Sequence, residues 1–131
     1  QAILVLFSRA YSDAYRSFIG HSAIMECVQY IDAHFREDIH LNELLSHYHF
    51  SVSGFYRAFR EVTGKSYQQY VTQKRMEYAS FLLRSTKLSL QSIADQCGYA
   101  DYSAFYRAFR KHVGLNPAKY PRDQAFQTHS P

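Results

Sequence analysis

The sequence contains no tryptophan, only three prolines and only two cysteines among its 131 residues. Cys27 and Cys97 lie in apolar helical patterns without metal or redox spacing, which argues against a disulfide-rich scaffold and predicts reduced core residues of a cytosolic protein. The longest apolar run, residues 2–7, has six residues, whereas a helix that spans a bilayer needs roughly 20. We therefore expect neither a secreted disulfide protein nor a membrane protein.

The sequence also lacks the short motifs of common enzyme classes. It has no glycine-rich phosphate loop, no nucleophile elbow and no His-Glu metal motif. His47 and His49 are two residues apart, which places them on different helix faces, and no third ligand with zinc-like spacing accompanies them. We expect no catalytic residue, no metal and no cofactor.

The balance of charge is moderately basic. Fifteen Lys and Arg residues oppose eleven Asp and Glu residues, which gives a formal net charge of +4. This excess favours a polyanionic partner without identifying one. The composition is otherwise ordinary for a folded globular protein, with 47% hydrophobic and 20% charged residues.

One stretch of six residues occurs twice. Residues 55–60 read FYRAFR, and residues 105–110 repeat them letter for letter. The same offset of fifty pairs further identical residues, so the repeat is a structural module: Ser53 with Ser103, Gly64 with Gly114 and Tyr70 with Tyr120. In each copy the two Phe residues share one helical face, while Tyr and Arg lie on other faces. Each copy therefore predicts a buried Phe stripe beneath a cationic, aromatic edge.

Helical spacing predicts that each copy is the second of two short helices. The first pair covers 41–48 and 52–62, and the second pair covers 90–97 and 102–112. A helix of about nineteen residues joins the pairs and ends near residue 84. The turn within the second pair is one residue longer than the turn within the first, and we expect the additional residue within 98–101. Capping residues support these bounds: Ser51, Ser66 and Ser89 as N-caps, Gly64, Gly98 and Gly114 as helix ends, and Asn116 with Pro117 as the start of a short final helix to Tyr120.

Upstream of the repeat, the apolar spacing predicts two more helices. The first covers 3–18 and is interrupted at Gly20, and the second covers 23–35 with Ser22 as its N-cap. Two interpretations of the first helix stay open: it packs on this domain, or it is the end of an upstream domain or a dimerisation helix. Because the chain does not begin with Met, we consider it a fragment from which an upstream domain is missing.

Two short helices around a tight turn, the second with Arg opposite its apolar stripe, are typical of a helix-turn-helix, whose second helix enters the DNA major groove. Here the arrangement occurs twice. Over residues 22–122 the sequence resembles the AraC/XylS family of bacterial transcription regulators. The resemblance is carried by Phe55, Arg57, Phe59, Gly64, Tyr70, Arg75, Ala79, Leu82, Leu83, Ile93, Ala94, Gly98, Tyr99, Phe105, Arg107, Phe109, Gly114, Pro117 and Tyr120.

The resemblance implies which residues contact DNA. In the first recognition helix they are Val52, Ser53, Tyr56 and Arg57, and in the second they are Tyr102, Ser103, Tyr106 and Arg107. The pattern of the repeat indicates the same residues, because they begin each helix or face away from the Phe stripe. Possible phosphate contacts are Arg60, Lys65 and Arg110. Phe55, Phe59, Phe105 and Phe109 are expected in the core.

The resemblance also implies an all-α architecture of two homeodomain-like lobes. The expected division is an N-terminal helix or linker at 1–21, a first lobe at 22–65, a linker helix at 66–86, a second lobe at 87–122 and a flexible tail at 123–131. A linker helix of about 28 Å would let one chain read two boxes about 10 base pairs apart. The implied partners are double-stranded DNA, RNA polymerase, and an effector that acts through a missing sensor domain. We expect a cytoplasmic, nucleoid-associated activator that is monomeric as this domain and dimeric at full length.

Several residues have alternative interpretations. Arg57 and Arg107 are ordinary surface salt-bridge partners or contact bases and phosphates, and their identical placement beside Tyr favours DNA. Tyr56 and Tyr106 either contact DNA or cover the domain surface. Arg75 is expected to be a partly buried ion-pair residue that supports the linker helix. For the whole chain, the competing function is a helical protein-interaction module without specific DNA readout.

Overall fold

The computed structural model describes residues 2–122, except for the side chains of residues 2–9, 15, 17 and 18. All regular elements in this range are helices, which confirms the predicted all-α fold. In chain order they are α1 (Ala2–His34), α2 (Leu41–His47), α3 (Val52–Thr63), α4 (Tyr67–Ser85), α5 (Leu90–Gln96), α6 (Tyr102–Val113) and a 3₁₀ turn (Pro117–Lys119).

The N-terminal helix α1 is continuous and replaces the two helices predicted there. Gly20 and Ser22 both lie inside it, so the predicted break and the predicted cap are wrong. A glycine inside a helix costs only about 1 kcal/mol relative to alanine, and a helix that continues on both sides tolerates this cost. The described side chains between residues 10 and 19 are exposed. Outside the described residues are the predicted apolar positions Ile3, Leu6, Phe7, Tyr15 and Phe18.

The chain divides into two compact units. The first comprises Gln1–Ala33 and His40–Tyr67, and the second comprises His34–Ile39 and Gln68–Pro131. The pair α2 and α3 lies in the first unit, and the pair α5 and α6 lies in the second. Each unit therefore holds one copy of the repeated stretch. The domain boundaries expected from the sequence stay predictions.

The core of the first unit is built from α1, α2 and α3. Its fully or nearly buried hydrophobic side chains are Ile24, Cys27, Val28, Ile31, Leu45, Phe55 and Phe59. The predicted inward face of the second half of α1 is confirmed at Ile24, Val28 and Ile31. Tyr67 extends the core, since its ring centroid lies 5.8 Å from that of Phe59.

The core of the second unit lies between α4, α5 and α6. It contains Met76, Ala79, Leu82, Leu83, Ile93, Ala94, Cys97, Phe105 and Phe109. Tyr120 closes it, with its ring centroid 5.7 Å from that of Phe109. Arg122 holds the chain after Tyr120 against the connection between α4 and α5. Its Nη1 atom donates to the Thr86 carbonyl at 3.1 Å, and its Nη2 atom donates to the Leu88 carbonyl at 2.9 Å.

Each unit buries one free cysteine, as the sequence predicts. Burial raises the pKa of the Cys27 thiol to about 11, with a smaller contribution from Glu26. Burial raises the pKa of the Cys97 thiol to about 12, against the opposing charges of Arg75 and Arg36. Both thiols are therefore protonated at neutral pH and unsuited to nucleophilic chemistry.

Candidate nucleic-acid interface

The helices α3 and α6 present the same surface. Each has twelve residues, and in each the two phenylalanines of the repeated stretch are fully buried. The exposed positions are also equivalent in the two helices, namely Ser53, Arg57 and Arg60 in α3 and Ser103, Arg107 and Arg110 in α6. The predicted buried stripe and exposed cationic edge are therefore confirmed in both copies.

Capping residues fix where each of these helices begins. The side-chain oxygen of Ser51 accepts from the Gly54 amide at 3.1 Å, as predicted from the sequence. In α6 a carboxylate takes this role, since Asp101 Oδ1 accepts from the Ser103 amide at 3.0 Å. Both caps satisfy a backbone donor in the first turn that the helix itself cannot satisfy.

Glycines fix where the two helices end. Gly64 and Gly114 have φ angles of 76° and 85°, in the left-handed region. Their amides donate to the carbonyls of Arg60 and Arg110 at 2.8 Å and 3.0 Å. This closure confirms both as C-terminal caps and gives the two helices the same length.

Arg57 and Arg107 are exposed at the sixth residue of their helices. Within the described part of the chain, neither side chain forms a hydrogen bond or an ion pair. An internal salt bridge, the alternative interpretation of these residues, is not formed there. Both guanidinium groups are available to an external partner.

Tyr56 and Tyr106 have different neighbours although their sequence context is identical. Both are half-buried. The Tyr56 ring lies against Tyr67, at 6.3 Å between centroids, whereas the Tyr106 ring lies against Tyr102, at 6.5 Å. The Tyr106 hydroxyl also accepts a long hydrogen bond of 3.4 Å from Arg110 Nη1. Each tyrosine thus covers part of its unit's surface, and DNA contact by either stays a prediction.

The first residues of the two helices also differ. Val52 is 53% exposed. Tyr102 is half-buried, and its ring centroid lies 5.8 Å from that of Phe105 in the core. The start of α3 therefore offers methyl groups to a partner, whereas the start of α6 offers the edge of an anchored aromatic ring.

The proposed phosphate contacts lie toward the C-terminal ends of the helices. Arg60 and Arg110 are exposed, and Lys65 is half-buried. Thr63, which the sequence reasoning missed, orders the chain before Lys65: its hydroxyl donates to the Phe59 carbonyl at 2.8 Å and accepts from the Lys65 amide at 3.2 Å. The contacts with phosphate stay predictions.

A family model described as a helix-turn-helix domain matches residues 44–123. This range covers more than half of the chain and includes α3 and α6. The chain belongs to the AraC-type helix-turn-helix family. The resemblance inferred from the repeated stretch is thereby confirmed.

Curated relatives of this AraC-type chain are regulators of considerably greater length. The Msm operon regulatory protein of Streptococcus mutans is 30% identical over 93 residues, which cover 71% of this chain and 34% of the relative. The probable transcriptional regulator LumQ of Photobacterium leiognathi is 34% identical over 91 residues, 70% of this chain and 37% of the relative. The chain thus spans about a third of the length of these relatives.

Solved structures support the same family assignment. The DNA-binding domain of the global transcriptional factor AdpA, solved in complex with a target DNA, is 29% identical with a TM-score of 0.69, and the match covers 74% of this chain and 87% of that one. The C-terminal domain of AraT, a response regulator from Geobacillus stearothermophilus, is 32% identical with a TM-score of 0.70, covering 75% of this chain and 82% of that one.

Arg75 is the residue of this AraC-type chain whose role the sequence reasoning assigned incorrectly. Instead of the predicted ion pair, it donates to main-chain carbonyls, from Nε to Phe35 O at 2.8 Å and from Nη2 to Glu37 O at 3.2 Å. Its guanidinium also lies 5.1 Å from the centroid of the Tyr99 ring. Arg75 therefore joins α4 to the segment 34–39 and to the turn before α6. No sequence signal identifies carbonyl partners about 40 residues away.

The described residues of this AraC-type chain offer neither a metal-binding cluster nor a membrane-spanning helix. Among them, no group of three His, Cys, Asp or Glu side chains could hold a metal ion. None of the helices combines the length and the apolar character needed to cross a membrane.

Proposed function

We propose that this chain is the DNA-binding part of a bacterial transcription regulator and binds double-stranded DNA sequence-specifically through α3 and α6. The observation that carries the proposal is the pair Arg57 and Arg107, two exposed guanidinium groups that lie at the same position of matched helices and have no partner among the described residues. On a recognition helix, an Arg can donate two hydrogen bonds to O6 and N7 of a guanine in the major groove.

The neighbouring residues hold the helices in place on the duplex. Ser53 and Ser103 are exposed in the first turn, where a hydroxyl can reach a phosphate or a base edge. Arg60, Arg110 and Lys65 add positive charge near the ends of the helices, which suits contacts to the phosphate backbone. Such contacts fix register and orientation, while the two central Arg residues read sequence.

The wider function is proposed on family grounds. The protein works in the bacterial cytoplasm on the nucleoid, contacts RNA polymerase when it is bound near a promoter, and activates transcription. An effector acts through a sensor domain outside this chain. The domain itself is monomeric, and the full-length protein dimerises. These proposals are supported by relatives named as operon and transcriptional regulators, of whose length this chain spans about a third.

A binding-site selection with the purified 131-residue chain tests the proposal. We expect a preferred duplex whose affinity falls as salt rises while its advantage over scrambled duplex persists. Binding that is equally strong on all sequences would contradict specific readout. The absence of DNA binding at physiological salt would favour the competing function, a helical protein-interaction module.

A further inference from the structure

The outward-facing residues of α3 and α6 are identical at the centre and differ at the ends. Residues 55–60 and 105–110 are the same. At the first helical residue, Val52 stands where α6 has Tyr102. In the last turn, Glu61 stands where α6 has Lys111. The two surfaces therefore share their central chemistry and are distinguished by their edges.

The core beneath the two surfaces is also nearly the same. The rings of Phe55 and Phe59 lie 5.6 Å apart at 41°, and those of Phe105 and Phe109 lie 5.8 Å apart at 40°. Both helices are twelve residues long and end at a left-handed glycine. Each central Arg therefore projects from an equivalent backbone position over an equivalent core.

We propose that the two DNA boxes read by this chain contain the same central base pairs, including one G·C pair for Arg57 or Arg107, and differ at the pair contacted by the first helical residue. This proposal rests on the proposed function and deepens it. Because Arg57 and Arg107 present the same hydrogen-bond donors from equivalent helix positions, they select the same base edge, and the exposed Ser53 and Ser103 add the same hydroxyl to each surface. The operator is then one short element used twice, with one distinguishing pair in each copy.

The chemistry of Val52 and Tyr102 sets the distinguishing pair. The exposed methyl groups of Val52 suit apolar contact with the thymine methyl group in the first box. Tyr102 packs its ring against Phe105, with 5.8 Å between centroids, and against Tyr106, at 6.5 Å. Its hydroxyl, a donor and an acceptor, favours a hydrogen-bonding base edge in the second box.

The residues in the last turns of α3 and α6 affect the affinity for DNA and not the choice of base pairs. Lys111 attracts the phosphate backbone, whereas Glu61 at the equivalent position repels it. Both residues are exposed. The second box is therefore bound more tightly and with stronger salt dependence, although its central base pairs are the same.

Selection from random duplexes followed by affinity measurements on single-pair variants tests the proposal. We expect two boxes with shared central pairs and one differing flanking pair in each. Val52→Tyr is expected to switch the preference at the distinguishing pair of the first box to that of the second. On the original first box the variant loses about 5- to 150-fold in affinity, the usual effect of one lost base contact, and it recovers when that pair is exchanged.

Tyr102→Phe is the matched variant for the second unit, because it keeps the packed ring and removes only the hydroxyl. It is expected to relax preference at the distinguishing pair of the second box alone, with unchanged thermal unfolding. Two boxes without common central pairs, or a Val52→Tyr variant with unaltered preference at every pair, would overturn the proposal while leaving the proposed function standing. A chain without any preferred site would refute both.

Discussion

His49 holds, in the turn between α2 and α3, the left-handed backbone conformation that Gly98 holds in the turn between α5 and α6, with φ angles of 57° and 92°. In both turns the amide of the next residue donates to the carbonyl four residues before the left-handed position, at 2.9 Å and 3.0 Å. A residue with a side chain adopts this conformation at a cost of about 1 to 2 kcal/mol, which glycine avoids. The two turns therefore have the same hydrogen bond, but only the first turn carries backbone strain, at His49.

Replacing His49 by glycine is expected to stabilise the protein by about 0.5 to 1 kcal/mol. The variant relieves the left-handed strain, and the greater freedom of glycine in the unfolded chain offsets part of that gain. Urea unfolding measures the change. Ser46→Gly, within α2, is the control and is expected to destabilise by about 1 kcal/mol, because glycine disfavours the helix. A less stable His49→Gly protein would contradict the assigned strain.

Replacing Gly98 by alanine is expected to destabilise the protein by about 3 kcal/mol, because strain and a clash combine. An added Cβ would lie 2.6 Å from the Arg36 carbonyl oxygen. Gly64→Ala is the matched control: its φ is 76° but nothing lies within 4 Å of the added Cβ. It is expected to cost only about 1 to 2 kcal/mol. Equal losses in the two variants, measured by thermal or urea unfolding, would show that the Arg36 carbonyl moves aside.

Replacing Arg57 or Arg107 by alanine is expected to cost about 1 to 3 kcal/mol of binding free energy at the preferred site and to relax preference at particular base pairs. Replacing Lys65 is expected to weaken binding to all sequences alike, because a contact with phosphate carries no sequence information. Affinities for preferred and scrambled duplexes distinguish the two classes. Equal losses on both duplexes for the Arg variants would remove them from the base-reading residues.

Separating the two boxes by about 5 additional base pairs is expected to abolish simultaneous binding, because half a turn moves the second box to the opposite face of the duplex. Unchanged affinity for the half-turn insertion would mean that only one unit reads DNA or that the connection flexes.

The free energy of unfolding is expected to fall as pH rises above about 9. Both thiols ionise near 9.0 when unfolded but have a folded pKa raised to about 11 at Cys27 and about 12 at Cys97. The stabilisation is therefore fully present below the unfolded pKa and is lost as pH rises toward the folded values. Urea unfolding across this range measures the slope. In Cys97→Ala the free energy of unfolding is expected to fall less steeply, and the remaining fall comes from Cys27 and from Tyr99, whose pKa burial also raises.

Local rules predicted most of the elements that form the candidate interface. Ser51, Gly64 and Gly114 mark helix ends by chemistry that acts within a few residues, so the sequence alone located α3 and α6. The same local reasoning failed at Gly20, where continuation of the helix on both sides outweighs the intrinsic cost of one glycine. Arg75 was misassigned because its acceptors are backbone carbonyls of a segment distant in sequence, and every residue type carries a carbonyl.

The letter-for-letter repeat also conceals differences that only the structure shows. Tyr56 and Tyr106 have the same neighbours in sequence, but their rings pack against Tyr67 and Tyr102, which lie at unequal positions of the two copies. Their surroundings depend on residues outside the identical stretch. Identical motifs thus predict the buried Phe stripe correctly, but they do not predict what the half-buried tyrosines Tyr56 and Tyr106 pack against.

The segment 34–39 lies in sequence between two parts of the first unit but belongs to the second unit. The first unit contains α2 and all of α1 except His34. In the second unit, the carbonyls of the segment accept hydrogen bonds from Arg75 and lie against Gly98. A fragment that began at residue 40 would contain both copies of the motif. It would still lack the carbonyls of the segment 34–39 that contact Arg75 and the turn at Gly98. The second compact unit therefore does not coincide with the stretch that carries the second repeat, because it also includes six residues that precede the first repeat.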